Sequence, residues 1–210
     1  MKKIIILMPV YNDWESLIKV LDEINSVIQN IKNYEFRCVI VNDNSSVEKP
    51  KIIKPKNFNS LKIINMKANR GHARCNAFGL RYINSNEKCD YVIIMDSDGE
   101  DRPVEINALI NKIVEKPGIS VVAKRVKRSE GPIFQTLYQI HKLITFIFVG
   151  KKINFGNYSC LTKEDINILS DKASLWSSFS GSVKKHLMSL NEIDSIRGLR
   201  YFGPSKMSLF

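Results

Sequence analysis

Five short apolar runs, separated by segments with helical spacing, constrain the fold of this chain more than any other feature. Each run is rich in isoleucine and valine, a pattern typical of buried strands. Between the runs, apolar residues recur every three or four positions, which predicts amphipathic helices. Strands and helices in alternation predict an α/β layer fold with a mainly parallel central sheet flanked by helices. The predicted strands are 3–8, 37–41, 61–66, 91–95 and 119–123, and the predicted helices are 14–31, 73–83 and 101–114.

Two of the predicted helices begin with capping signals. Asn12 precedes the first helix, and Glu15 follows it at the spacing of a capping box. Asp101 opens the third helix with Pro103 in its first turn, where proline is tolerated. We therefore expect Asn12 and Asp101 to act as helix caps.

The charge balance of the chain favours an anionic partner. Its 210 residues include 32 Lys and Arg against 21 Asp and Glu, a formal net charge of +11. Nucleic acid, a phosphorylated ligand and an anionic membrane all suit this excess. The apolar start of the chain lacks the cleavage site of a signal peptide, and no run reaches the ~18 apolar residues of a spanning helix. Four scattered cysteines indicate the reduced thiols of a cytosolic protein.

The segment YVIIMDSDGEDRP at 91–103 raises the main functional question, because it places four carboxylates behind an apolar strand. Ligands of parallel sheets bind beyond the carboxyl ends of the strands. Asp96 and Asp98 flank Ser97, so both carboxylates reach the same point if the segment is extended. Two hard oxygen ligands without His or Cys suit Mg²⁺ or Mn²⁺ that shares substrate phosphates. The competing interpretation is that these acids only cap the next helix and solvate a loop.

A third interpretation of Asp96 and Asp98 is a phosphatase of the haloacid dehalogenase type, whose nucleophile loop also contains Asp-x-Asp. In that class the motif usually follows the first strand of the chain. Here it follows the fourth predicted strand. The order of the elements therefore disfavours the phosphatase.

Six segments in series resemble the motifs of family 2 glycosyltransferases with the GT-A (Rossmann-like) fold. The likeness is greatest to dolichol-phosphate mannose synthases and bacterial polyprenyl-phosphate glycosyltransferases. It covers about residues 4–129 and 198–208. The segments are PVYND, VNDNSS, NRGHARCNAFG, MDSDGEDRP, AKRVKR and RYFGPSKM.

The resemblance implies a nucleotide-sugar site at the ends of the strands. The donor would contact the ends of the first two strands, the acidic segment and the C-terminal motif, and carboxylates would hold Mg²⁺ or Mn²⁺ on its diphosphate. The implied donor-binding residues are Pro9, Tyr11, Asp13, Val41, Asp43, Ser97 and Arg200, and the implied metal ligands are Asp96, Asp98 and Glu100.

Basic residues complete the implied site. Arg125 and Lys206 match positions that contact phosphates in these synthases, and together with Arg128 they are expected to hold the acceptor phosphate. The element that is Gly-Asp-Phe-Arg-like in relatives differs here at Asn157 and Ser159. The implied catalytic residues are Asp96, Asp98, Arg125 and Lys206.

The resemblance divides the chain into three parts of one domain. Residues 1–132 form the nucleotide-sugar-binding and catalytic core, and residues 154–210 form the acceptor-side portion with a basic C-terminal tail. Residues 133–153 are predicted to form an amphipathic helix with Gln, His and Lys on one side. This helix is interpreted either as a core helix on the sheet or as a membrane-interface helix with its aromatic residues toward lipid.

These observations predict a metal-dependent, inverting enzyme that moves a sugar from a GDP- or UDP-linked donor to a polyprenyl phosphate. We expect it on the cytoplasmic face of the membrane, in peripheral contact with anionic lipid and without a nucleic-acid partner. Two alternatives stay open. A glycan hydroxyl acceptor would need a general base, and a nucleic-acid-binding module would need a contiguous basic face without the acids.

Overall fold

The computed structural model of the chain describes residues 1–127 and 154–204, with the backbone alone at Lys127. The helix predicted at 133–153, and the predicted acceptor residues Arg128 and Lys206, lie outside the described residues. None of the helices in the described part is long and apolar enough to cross a bilayer.

The described residues contain seven strands that form one sheet in the order β3-β2-β1-β4-β6-β5-β7. Neighbouring strands are parallel except at β6, which is antiparallel to both β4 and β5. The prediction of a mainly parallel sheet is therefore confirmed. The strands are β1 (Lys2–Val10), β2 (Tyr34–Asn42), β3 (Ser60–Asn65), β4 (Tyr91–Ile94), β5 (Val121–Lys127), β6 (Phe155–Thr162) and β7 (Asn191–Ile196).

Helices cover both faces of the sheet. The helices α1 (Trp14–Ile28) and α3 (Ile106–Glu115) pack on one face, and α2 (His72–Asn86), α4 (Lys163–Ser170) and α5 (Phe179–His186) pack on the other. Alternate residues of β1 contribute to the two hydrophobic clusters: Ile4 and Ile6 to the first, Ile5 and Leu7 to the second. A strand that is buried on both faces must be apolar along its length. This explains the continuous apolar run at the start of the chain.

The structure corrects both predicted caps. Asp13 stands at the N-cap position of α1 without a side-chain cap bond, while Asn12 adopts a left-handed conformation with φ 51°. The Asn12 side chain binds the next loop instead, because its Oδ1 accepts from Val47 N–H at 3.0 Å. Asp101 does not cap the third helix, which begins as a 3₁₀ turn at Pro103–Glu105 and continues as α3.

Candidate active site

The carboxyl ends of β1, β2 and β4 meet at one edge of the sheet. Backbone hydrogen bonds join them: Asp43 N–H donates to Val10 O at 2.9 Å, and Met95 N–H donates to Leu7 O at 3.1 Å. Because β6 runs in the opposite direction, its first residues reach the same edge, as do the residues that follow β7. This edge gathers most of the predicted site residues.

The acid loop, residues 96–101, is held in a fixed shape at this edge. Ser97 Oγ donates to Pro9 O at 2.6 Å, which ties the loop to β1. Asp96 N–H donates to Oδ2 of the buried Asp101 at 2.9 Å. This hydrogen bond joins the first and last residues of the loop. Gly99 has φ 94°, a left-handed conformation that favours glycine. The loop therefore turns directly after Asp96 and Asp98, which are two of the three predicted metal ligands.

The carboxylates of Asp96 and Asp98 each accept a hydrogen bond from a side chain in the C-terminal half of the chain. Asp96 Oδ1 accepts from Nδ2 of Asn157, at the start of β6, at 3.2 Å. Asp98 Oδ2 accepts from Nη1 of Arg200 at 2.9 Å, and the Nη2 of Arg200 binds Asp13. Arg200 thus bridges two predicted donor-site carboxylates. Sequence reasoning assigned Arg200 to this site but did not assign Asn157, whose only signal was its departure from the family pattern.

The C-terminal segment, residues 197–204, lies over the acid loop. Arg197 forms an ion pair with Glu100, and Gly198 N–H donates to Glu100 O at 2.8 Å. Tyr201 N–H donates to Asp98 O at 3.0 Å. A Cβ at Gly99 would lie 2.7 Å from the Tyr201 ring, so the two segments touch at this point. Arg197 and Tyr201 were not predicted to be site residues. The sequence signal for them was weak: Tyr201 lies within the basic C-terminal motif, and Arg197 lies just before it.

The electrostatics of the edge favour a bound cation. The pKa of the Asp98 carboxyl is raised to about 6, first because burial disfavours its charged form and second because Asp96 is close. Arg200 and Arg197 oppose this shift. Burial, followed by the charge of Asp96, also raises the pKa of Asp101. The positive charge of the arginines therefore does not fully offset the negative charge of the carboxylates, which leaves this edge suited to a cation.

Two of the three predicted metal ligands fit a divalent cation that completes its coordination with water and phosphate oxygens. Asp96 and Asp98 are half-buried and close enough to perturb each other. Glu100 is turned toward Arg197 instead. Within the residues that the structure describes, no group of three or more His, Cys, Asp or Glu side chains is arranged as a metal site. A cation here would accordingly depend on the donor diphosphate for further ligands.

The predicted donor-binding residues at the ends of β1 and β2 are mostly buried, and backbone groups hold one of them in place. Asp43 is buried, and its two oxygens accept from Arg70 N–H at 2.7 Å and Gly71 N–H at 2.8 Å. Pro9 and Val41 are register partners in β1 and β2 and are both buried. Tyr11 is half-buried beside them in the chain. Asp43 therefore holds the turn that precedes α2 against the end of β2.

Arg125 lies at the same edge, on β5. A Cβ at Gly156 of β6 would lie 2.8 Å from its guanidinium, so glycine at that position leaves room for the arginine. The positive charge of Arg125 opposes the upward shift of the Asp101 pKa, which is caused first by burial. The structure thus places Arg125 beside the start of β6 at this edge, and its role at the phosphates stays a prediction.

An α/β sheet with paired aspartates and arginines at its carboxyl edge suits an enzyme that acts on phosphorylated substrates. The profile of the family described as Glycosyl transferase family 2 matches residues 5–177. The chain belongs to this family and is a glycosyltransferase with the GT-A fold. The phosphatase interpretation is therefore not retained.

One known relative is only distantly similar in sequence. The chain is 25% identical over 169 residues to an undecaprenyl-phosphate 4-deoxy-4-formamido-L-arabinose transferase from Photorhabdus laumondii. The match covers 77% of this chain and 48% of that protein, so the chain spans about half the length of this relative.

Solved structures share the fold. Glucosyl-3-phosphoglycerate synthase from Mycobacterium tuberculosis, crystallised with Mn²⁺ and UDP-glucose, superimposes with a TM-score of 0.62 at 14% identity. The match covers 96% of this chain and 72% of that one. TarS residues 1–349 from S. aureus superimposes with a TM-score of 0.56 at 18% identity, covering 93% of this chain and 59% of that one. At these identities the likeness establishes the fold alone.

Proposed function

We propose that this glycosyltransferase moves a sugar from a nucleotide sugar to a polyprenyl phosphate, with inversion and with Mg²⁺ or Mn²⁺ as cofactor. The observation that carries the proposal is the acid pair Asp96–Asp98 surrounded by Arg125, Arg197 and Arg200 at the carboxyl edge of the sheet. Such an edge suits a reaction between two phosphorylated substrates. The relative from Photorhabdus, named for its undecaprenyl-phosphate acceptor, supports the lipid.

The donor is assigned to the region where the ends of the first two strands meet the acid loop. Its binding residues are proposed to be Pro9, Tyr11, Asp13, Val41, Asp43, Ser97 and Arg200. Asp96 and Asp98, with Glu100 at the rim, would hold the divalent cation, which neutralises charge that develops on the leaving diphosphate. A structural neighbour crystallised with Mn²⁺ and UDP-glucose is consistent with such a donor.

Donor binding would release Arg200 from one of its two carboxylate partners, Asp98. Arg200 binds both Asp13 and Asp98 here, so its guanidinium already lies where donor phosphates would be held. An arginine fork binds phosphate oxygens as well as it binds a carboxylate. We therefore expect Arg200 to exchange Asp98 for the donor diphosphate once the carboxylate turns to the cation.

The acceptor needs positioning more than deprotonation. A phosphate monoester has its second pKa near ~6, so at neutral pH it already offers an oxyanion. That oxygen would attack the anomeric carbon as the bond to the donor phosphate breaks, which inverts the configuration and releases a nucleoside diphosphate. A hydroxyl acceptor would require a base, and in the described part of the chain no histidine is hydrogen-bonded to a carboxylate.

Arginine and lysine side chains are proposed to overcome the repulsion between the two substrates. Arg125 lies at the edge, and Arg128 and Lys206, outside the described residues, are assigned to the same acceptor phosphate from the family likeness. The helix proposed at 133–153 would rest on the cytoplasmic face of the membrane, where the lipid acceptor is found. Residues 154–210 would then form the acceptor side of the domain.

A comparison of two lipids tests the proposal. The enzyme is incubated with GDP- and UDP-linked sugars and either a polyprenyl phosphate or the matching polyprenol, and the products are identified by mass spectrometry. Transfer to the phosphate alone is the expected result. Comparable transfer to the polyprenol would contradict the mechanism, because the alcohol lacks the ready oxyanion.

A further inference from the structure

The loop that joins β2 to β3, residues 44–59, is held firmly against the protein at both ends. At its start, the indole Nε1 of Trp14 donates to Val47 O at 3.1 Å. Near its end, Asn57 N–H donates to Oδ1 of Asn25 on α1 at 2.8 Å. These contacts fix the loop along α1, starting from the edge of the sheet that carries the candidate active site. Its side chains are thus displayed in a defined arrangement.

The loop carries a concentration of positive charge that the protein does not neutralise. It contains four lysines and one acid, Glu48. Lys54 Nζ donates to Phe58 O at 2.5 Å. The other three lysines are exposed and make no ion pair with any residue that the structure describes; they are Lys49, Lys51 and Lys56.

An apolar side chain is displayed among these lysines. Ile52 packs against the hydrophobic cluster under α1, whereas its neighbour Ile53 is 76% exposed. Val47, earlier in the loop, is 53% exposed. The chain is stiffened on both sides by Pro50 and Pro55. An isoleucine held outward between lysines can enter the boundary between headgroups and acyl chains while the lysines contact the headgroups.

We propose that the β2–β3 loop docks the enzyme onto an anionic lipid bilayer. This surface is separate from the helix proposed at 133–153. A bilayer fits better than nucleic acid for two reasons. Residues 44–57 of the loop contain no aromatic side chain on which a base could stack. Contacts between the lysines and nucleic-acid phosphates would also not use the exposed Ile53. The choice of a membrane also rests on the proposed lipid acceptor. Docking here would bring the enzyme to the surface that holds that lipid.

Vesicle flotation of the full chain tests this docking surface. The probes are phosphatidylcholine vesicles with and without phosphatidylglycerol. Each basic residue at an anionic surface is worth about 1 kcal/mol, or roughly fivefold in partitioning. The triple variant Lys49→Gln, Lys51→Gln and Lys56→Gln should therefore bind phosphatidylglycerol vesicles at least about tenfold more weakly. Its thermal unfolding should be unchanged.

A second triple variant controls for net charge. Lys88, Lys116 and Lys185 are also exposed and lie outside the loop, so replacing all three by Gln removes the same charge. Ile53→Ser is matched in the same way by Met188→Ser, because Met188 is fully exposed next to the opposite hydrophobic cluster. The loop variants should lose vesicle binding, and the matched controls should retain it.

Equal losses in the two triple variants, or no loss in either, would overturn the docking surface. So would a loop variant that keeps its vesicle binding but loses binding to a single-stranded RNA, because this would assign the loop to nucleic acid. Sugar transfer plays no part in the readout. A failure to glycosylate polyprenyl phosphate would therefore leave the vesicle result standing, and the two proposals can fail separately.

Discussion

The Asp98 carboxyl holds its proton more tightly than an ordinary aspartate, whose pKa is 3.8, because it is largely buried and lies near Asp96. Between pH 3.8 and about 6 the folded protein keeps this proton while the unfolded chain releases it. Without a cation, the contribution of Asp98 to stability therefore falls as pH rises through this window. A bound divalent cation favours the ionised carboxylate and offsets the loss.

Binding of Mn²⁺ should consequently depend on pH. At pH 5 a cation must displace the proton from most Asp98 side chains, so its affinity should be roughly tenfold lower than at pH 7.5. Isothermal titration calorimetry with Mn²⁺ at the two pH values measures this difference. In Asp98→Asn the affinity should be weak and should lose most of the pH dependence. Equal affinities for the unaltered protein at both pH values would contradict the assignment.

Arg200 and Arg197 offer a matched comparison of two arginines over the acid loop. Arg200 is 16% exposed and pairs with two carboxylates, whereas Arg197 is 32% exposed and pairs with Glu100 alone. Arg200→Ala should cost about 3 kcal/mol in unfolding free energy at pH 8, because it leaves the buried Asp13 and the half-buried Asp98 without their ion-pair partner. Arg197→Ala should cost much less. Urea unfolding without metal measures both.

The cost of Arg200→Ala should also shrink at pH 5. Arg200 lowers the pKa of Asp98, so its removal matters most when that carboxyl is ionised. A loss that is the same at pH 5 and pH 8, or a larger loss in Arg197→Ala, would show that the Arg200 bridge does not stabilise the acid loop.

Among the secondary-structure elements, five strands have an apolar run that could be recognised in the sequence. Two other strands have no such run and could not be predicted. All five predicted strands are present. The runs in β1 and β4 are continuous and apolar because both faces of the sheet are covered there, whereas β3 is an edge strand that keeps only part of this signal. β6 and β7 were not predicted. β6 contains Gly156, Asn157 and Ser159, and β7 is a short polar strand at the edge, so neither has a strong local signal. Their positions are set by pairing with distant strands.

The packing of the C-terminal segment on the acid loop can be tested at Gly99. Gly99→Ala should destabilise the protein for two reasons: φ 94° is strained for alanine, and the new Cβ would meet the Tyr201 ring at 2.7 Å. Gly118 is a control, because it has φ 83° but a Cβ added there would have no neighbouring atom within 4 Å. Gly99→Ala should therefore cost clearly more than the ~1 kcal/mol expected for Gly118→Ala, as measured by urea unfolding.

A double variant separates the two contributions at Gly99. In a Tyr201→Ala background the steric part disappears, so adding Gly99→Ala should cost about as much as Gly118→Ala does. If Gly99→Ala and Gly118→Ala were equally costly in the unaltered protein, the C-terminal segment would not pack on the acid loop as described.

For the molecule as a whole, the sequence motifs predicted which edge of the sheet carries the candidate active site. They did not predict how the segment after β7 packs over that edge. Asp96, Asp98 and Arg125 could be placed there because they follow strands or match family motifs. The bridge from Arg200 to Asp13 joins residues from opposite ends of the chain. No local pattern encodes such a contact, since it depends on how the segment after β7 folds back. The partners of Asp96 and Glu100 were missed for the same reason.

Membrane contact by residues 133–153 stays a prediction, because this segment lies outside the described residues. Its aromatic and aliphatic residues exceed what a polar edge helix usually carries. Replacing Phe146 and Phe148 by Ser should therefore reduce co-sedimentation with liposomes while thermal unfolding is unchanged. Unaltered sedimentation, or global unfolding of the variant, would instead favour a core helix packed on the sheet.

The central claim is that a divalent cation held by Asp96 and Asp98 drives sugar transfer at this edge, and Asp98→Asn tests it most directly. Transfer to polyprenyl phosphate is measured by mass spectrometry, with Mg²⁺ or Mn²⁺ and with a chelator. The unaltered enzyme should be active only with the metal. Asp98→Asn should lose activity by orders of magnitude while its circular dichroism spectrum is unchanged. Full activity of Asp98→Asn in chelator would contradict the account.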